Sequence, residues 1–205
     1  MKEIVLWDYP KSSASYRLRI ALNLAGVDYR IEHVDLLAKE NLGADHLARN
    51  PQGFVPVLDI DGHRMTQSLA ILDYLDATRD LGLLPANSYE RARQTALAHA
   101  IAVDLHPVCN LSVVDFATQR KEPARTNWMR HFITTRLAAF EGLLVGFTQE
   151  PFCCGPKPGL ADIVLMPQIY NAKRWGADFG SFHRIKTVEQ SCARHPAFLD
   201  AHPEF

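Results

Sequence analysis

Ser12-Ser13-Ala14-Ser15-Tyr16-Arg17-Leu18-Arg19-Ile20-Ala21-Leu22 is the stretch whose reading decides the fold. Hydroxyl residues gather just ahead of an apolar-periodic segment. That is a helix start, because a side-chain oxygen can accept from the orphan N–H groups of the first turn. Leu18, Ala21, Leu22 and Ala25 recur at spacings of three and four, which predicts a stripe packed on a sheet, and Gly26 supplies the stop. Upstream, Ile4-Val5-Leu6-Trp7 reads as a short strand, followed by a turn holding Asp8, Pro10 and Lys11. A strand therefore runs through a loop into the positive end of a helix lined with hydroxyls. Two roles suit that arrangement: plain capping, and the holding of an anion such as a thiolate.

Working outward, residues 29–35 alternate in polarity and predict a second strand, parallel to the first through a right-handed crossover. Residues 39–50 are polar and predict one short irregular helix. Val57-Leu58-Asp59-Ile60 and His63-Arg64-Met65-Thr66 flank Asp61-Gly62, a hairpin signal, and Gln67-Ser68 opens a further apolar-faced helix. The order β-α-β, connection, β-β-α is the thioredoxin-like pattern. It predicts an α/β thioredoxin-like N-terminal domain over residues 1–82.

Residues 83–88 read as a linker. Beyond Tyr89 only helical periodicity remains, which predicts an all-α C-terminal domain over residues 88–205. Its expected helices cover residues 91–102 and onward towards Val113, with a kink or break at Pro107, then residues 128–145, 160–175 and 187–194. The third is apolar all round, the mark of a buried helix.

The chain has 205 residues and a net charge of −1, which argues against a nucleic-acid or membrane surface as the main partner. No apolar run approaches the roughly 20 residues of a membrane span, and the first residues lack a signal-peptide core, so a cytoplasmic location is expected. Cys109, Cys153, Cys154 and Cys192 form no Cys-x-x-Cys, and are expected as reduced, partly buried thiols. Neither the cysteines nor the nine histidines have metal-site spacing, and no metal is expected.

These motifs, in this order, resemble the glutathione transferases over nearly the whole chain, and within them the zeta class that contains maleylacetoacetate isomerase. The zeta class opens its first helix with Ser-Ser-Cys-x-x-Arg-hydrophobic-Arg-Ile-Ala-Leu, matched by residues 12–22 with Ala14 at the cysteine position. Asn50-Pro51-Gln52-Gly53-Phe54-Val55-Pro56 and Gln67-Ser68-Leu69-Ala70-Ile71 match the glutathione-binding part. His106-Pro107-Val108-Cys109-Asn110-Leu111 and Leu160-Ala161-Asp162-Ile163 match the helical part, with Gly159 where the family has a Ser/Thr cap.

The resemblance implies a GST fold and a set of roles. Ser12 matches the catalytic hydroxyl, with Ser13 beside it at the helix N-terminus. A cis Pro56 turns the Val55 backbone towards the cysteinyl part of glutathione, and Gln67 and Ser68 receive the γ-glutamyl carboxylate. Asn41 stands where the family has a glutamine, and Cys109 where a glutamine or asparagine contacts glutathione. Lys11, Arg17 and Arg174 are the cations that would meet a small anionic substrate. For Arg17 a buried ion pair bracing the first helix stands equally, and for Arg174 a solvated helix end. The implied protein is a homodimer needing glutathione and neither metal nor nucleotide.

Three functions fit. One is glutathione-dependent cis–trans isomerisation of a maleyl-type diacid, maleylacetoacetate to fumarylacetoacetate, in aromatic amino acid catabolism. Another is a transferase or dehalogenase of small α-halo acids, or a maleylpyruvate isomerase. The last is a non-catalytic binding protein on the same scaffold.

Overall fold

The apolar run ahead of the serines forms strand β1, Val5–Asp8, in the computed structural model, which describes residues 3–203. It joins β2 (Arg30–His33), β3 (Val57–Ile60) and β4 (His63–Thr66) in a sheet ordered β2-β1-β3-β4. β1 and β2 are parallel, with Asp8 opposite His33. β3 is antiparallel to both of its neighbours, with Val57 opposite Trp7 and opposite Thr66. Asp61 and Gly62 have φ of 55° and 85°, the pair of positive values that a two-residue hairpin loop with the sheet's own twist requires.

That register has a direct consequence. The chain leaves β1 after Asp8, leaves β2 after His33, enters β3 at Val57 and leaves β4 after Thr66, all at one end of the sheet. Residues 9–12, 34–41, 55–56 and 67–68 are the segments delivered there.

Helix α1, Ser13–Leu24, follows β1, and Gly26 with φ 62° lies just past its end. Helix α2 is Ala44–Arg49 and α3 is Ser68–Arg79. The chain divides into two units, Met1–Leu81 with Pro196–Phe205, and Gly82–His195. Residues 196–203 therefore leave the expected 88–205 domain and join the first unit. Their short helix α9, Pro196–Leu199, packs on α1. The cause is polar as well as apolar: Arg19 donates to the Ala201 carbonyl at 2.9 Å and Asn23 to the Ala197 carbonyl at 3.1 Å. With α3 and α9 both against it, α1 is buried around its girth from Ser15 to Leu22, more than the expected stripe.

The second unit contains α4 (Ser88–Ala102), α5 (Leu111–Thr118), α6 (Ala124–Leu143), α7 (Leu160–Trp175) and α8 (His183–Cys192). Helix α7 is buried from Leu160 to Ala172 and packs against α4, α6 and α8. At Pro107 the chain breaks into a short three-ten turn, Pro107–Cys109, before α5. Helices α6 and α8 each begin four residues before their first expected position: the first turn of α6 carries no large apolar residue, whereas that of α8 already contains the buried Ile185, in period with Val188 and Cys192.

Candidate active site

Ser12 caps α1. Its backbone is extended (φ −74°, ψ 120°), and its half-buried hydroxyl accepts from the Ser15 N–H at 3.2 Å. One lone pair is thereby engaged while the hydroxyl proton stays available for a second partner. Ser13 is buried as the first helical residue, and Lys11 is exposed in the turn ahead of the cap. The loop is held from below by Arg19, which donates to both oxygens of the buried Asp8 at 2.7 Å and to the Pro10 carbonyl at 2.8 Å. The buried ion pair bracing α1 is thus made by Arg19. Arg17 makes none among the described residues, which corrects that alternative for it.

Ahead of β3, the Val55–Pro56 bond is cis, as the resemblance implied. The turn before it is braced: His46 Nε2 lies 3.0 Å from the Phe54 carbonyl, and Asn50 donates to the same oxygen at 2.9 Å. Asn41 donates to the Gly53 carbonyl at 2.6 Å, so its side chain supports this turn. Gly53 has φ 65°, and a Cβ there would sit 3.0 Å from Leu42 and 3.1 Å from the Asn41 carbonyl, so a glycine is required.

Gln67 precedes α3 with φ 68° and ψ 105°, a strained conformation for a residue with a side chain. Its amide donates to Gln52 at 2.8 Å, tying the start of α3 to the turn before Val55. No side chain caps α3, and its first turn holds no acidic residue. Its leading N–H groups and the positive end of its dipole are left for an outside anion. Ser68, buried, accepts from Arg17 Nη1 at 3.1 Å, which links α3 to α1. Burial pulls the Arg17 guanidinium down to about 10.

The first unit therefore brings Ser12, Ser13, Lys11, Val55, Pro56, Gln67 and Ser68 to one end of its sheet, with Asn41 and Arg17 behind them. Cys109 and Arg174 belong to the second unit. Cys109 is buried at the end of the three-ten turn, and burial pushes its thiol up to about 12. Arg174 is exposed in the last turn of α7, over the rings of Tyr170 and Trp175, and donates to Asn171 at 3.5 Å. Three supports escaped the sequence reading: Gln52, His46 and the Asp8–Arg19 pair. Gln52 lay inside a quoted motif, whereas nothing local marks His46.

The chain matches the family described as "Glutathione S-transferase, N-terminal domain" over residues 2–77. It is 53% identical over 206 residues to the maleylacetoacetate isomerase of Rhizobium meliloti, covering 98% of this chain and 97% of that protein. Such identity over both full lengths decides the family. This chain belongs to the zeta-class glutathione transferases. The solved maleyl pyruvate isomerase described as a bacterial zeta-class glutathione S-transferase superposes on this zeta-class chain with a TM-score of 0.93 at 34% identity. That match covers 97% of this chain and 96% of the other. Maleylacetoacetate isomerase of Anaeromyxobacter dehalogenans, with dicarboxyethyl glutathione and citrate bound in its active site, superposes with a TM-score of 0.87 at 36% identity, covering 100% and 97%.

As a zeta-class transferase the chain departs from its family pattern at Ala14, which leaves no thiol in the first turn of α1. At Gly159 the missing cap is half replaced: Asp162 accepts from the Gly159 N–H at 2.8 Å, while glycine has no side chain to return the bond.

Proposed function

We propose that this chain catalyses the glutathione-dependent cis–trans isomerisation of a maleyl-type diacid, maleylacetoacetate to fumarylacetoacetate. The observation that carries the reading is the Ser12 hydroxyl. It is fixed by the Ser15 N–H at the positive end of α1, with its proton free for a sulfur, at the same sheet end as the uncapped start of α3. The residues fit glutathione: the orphaned nitrogens of buried Arg17 and the open α3 terminus suit a carboxylate, and the Val55 backbone suits a peptide.

Bound glutathione supplies a thiolate that adds to the activated cis double bond, permits rotation about the resulting single bond, and leaves by elimination. The protein's part is electrostatic and positional. Ser12 donates to the sulfur, and the α1 dipole favours its anionic form, so the thiol ionises below its ordinary pKa of about 8.5. Val55 pairs with the cysteinyl backbone in the manner of an added strand, and Gln67 and Ser68 hold the γ-glutamyl end. Lys11, exposed ahead of Ser12, and Arg174 are the cations proposed for the substrate carboxylates, and Asn41 and Cys109 are proposed as lesser contacts to glutathione. A homodimer in the cytoplasm, acting in aromatic amino acid catabolism, completes the reading. The family supports it, and no single helix among the described residues is long and apolar enough to cross a membrane.

The test is isomerisation of maleylacetone with and without glutathione. Turnover should require glutathione, and Ser12→Ala should lower kcat/KM about a hundredfold, the loss of one donor to a developing anion. Full activity of S12A overturns the role of Ser12. The likeness to maleyl pyruvate isomerase favours maleylpyruvate as the second substrate to try. Preference for it by kcat/KM would move the assignment to that reaction.

A further inference from the structure

Two arginines two residues apart on α1 are both buried, Arg17 at 2% exposure and Arg19 at 5%. They are treated in opposite ways. Arg19 is neutralised by Asp8, and its remaining donors reach the Ala201 and Pro10 carbonyls. Among the described residues Arg17 has one hydrogen-bond partner, the Ser68 hydroxyl, while its Nε and Nη2 have none. No carboxylate pairs with it among the described residues, and burial alone accounts for its lowered pKa. A buried guanidinium without a counter-charge is expensive, and such groups persist where something else completes them.

The bond to Ser68 has only one possible direction. Arginine offers five N–H donors and no acceptor, so the Ser68 oxygen must accept and its single proton must point elsewhere. Ser68 is the first residue of α3, whose terminus has neither a capping side chain nor an acidic residue. We propose that Arg17 is a positioning residue for glutathione. It fixes the Ser68 hydroxyl as a donor towards the γ-glutamyl carboxylate and sets an unneutralised charge behind the open end of α3. The ligand's carboxylate then serves as the missing counter-ion. This replaces direct contact with the diacid substrate as the role of Arg17, and it rests on the glutathione reading given above.

The test is a cycle between the protein and the ligand, read by calorimetric binding so that turnover does not enter. The probes are glutathione and 4-aminobutanoyl-Cys-Gly, which lacks only the γ-glutamyl carboxylate. For the native protein, removing that carboxylate should weaken binding about a hundredfold, as expected for a charge-assisted bond at a partly buried site. For Arg17→Met, which keeps the bulk and loses the charge, the same removal should cost about fivefold. Arg17→Lys should fall between, keeping charge without the fixed fork. If R17M weakens both peptides by one common factor, Arg17 is only a brace between α1 and α3, and the proposal is overturned.

Should R17M fail to fold, Ser68→Ala carries the test. The carboxylate's contribution should drop about tenfold, and an equal loss for both peptides again overturns the proposal. If the native protein binds neither peptide, the glutathione reading and this one fall together. Glutathione binding without isomerisation removes the reaction and leaves the cycle to decide.

Discussion

The start of α7 and the start of α3 are built from the same problem and solve it oppositely. Each helix exposes N–H groups at the positive end of its dipole, and neither N-cap residue offers a side-chain cap. At α7 the answer is internal. Asp162, three residues in, accepts from the Gly159 N–H at 2.8 Å and from the Cys153 N–H at 2.9 Å, both from its own unit. At α3 there is no internal answer. Gln67 is held at positive φ, the first turn has no acid, and the charge bonded to Ser68 is the buried cation Arg17. One terminus supplies its own anion and the other is arranged to receive one. A site is marked here less by a helix end than by the refusal to satisfy it.

The largest effect should come from opening the closed end. Asp162→Ala takes the acceptor away from two N–H groups, that of the wholly buried Cys153, which has no water to turn to, and that of the half-buried Gly159. Orphaning them should cost about 3 kcal/mol. In a protein of this size that lowers the melting temperature by roughly 6–12 °C. Urea and thermal melts measure it. A loss under about 1 kcal/mol would mean that solvent replaces the carboxylate, and the comparison would lose its closed member.

The contrast also marks what a sequence can disclose. The turn at Asp61-Gly62, the serines before α1 and Gln67-Ser68 before α3 are local signals, each decided by residues within a few positions. They marked the strands and helix starts along the chain, while the strand order and the sheet end where the site gathers came from the structure. Arg17 and Arg19 sit in one motif and look alike. What separates them is Asp8 on β1 and a carbonyl at Ala201, 182 positions from Arg19. Long-range partners of that kind leave no periodicity to read. The same holds for residues 196–203, whose return to α1 follows from packing and not from any pattern of their own. The early start of α6 was hidden for a third reason: a polar first turn contributes to the helix without contributing to its apolar face.

Closing the open end should have the next largest effect. Ala70 is exposed and holds in α3 the place that Asp162 holds in α7, three residues after the N-cap. Ala70→Asp should supply α3 with its own anion, raise the glutathione Kd about tenfold by competition, and raise stability by about 0.3–1 kcal/mol. Calorimetry and a thermal melt read both. Unchanged affinity would place the ligand's carboxylate somewhere other than the start of α3.

The smallest effect lies at the far end of the same helix and concerns sign. Asp61, in the hairpin turn, accepts from the Tyr74 hydroxyl at 2.7 Å and from Arg79 at 2.8 Å, so the C-terminal turns of α3 are anchored on a carboxylate while its start has none. The Tyr74 hydroxyl first, and then Arg79, hold the Asp61 carboxyl below the usual carboxylate range. Asp162 goes the other way, its carboxyl raised by burial against the pull of the Cys153 and Gly159 N–H groups. Linkage turns these directions into opposite slopes. The stability Asp61 contributes is complete above the ordinary carboxylate pKa of about 3.9 and is lost as pH falls through its lower folded value. For Asp162 the folded state favours the proton, so its contribution grows as pH falls through its raised value and fades as pH rises. Asp61 is solvent-exposed, so Asp61→Asn should lose under about 1 kcal/mol at pH 7. At pH 3, where protonation weakens the native contact as well, the gap between native and D61N urea midpoints should narrow. A gap of the same size at both pH values would show that Asp61 anchors α3 by shape and neutral hydrogen bonding, and its charge would drop out of the comparison.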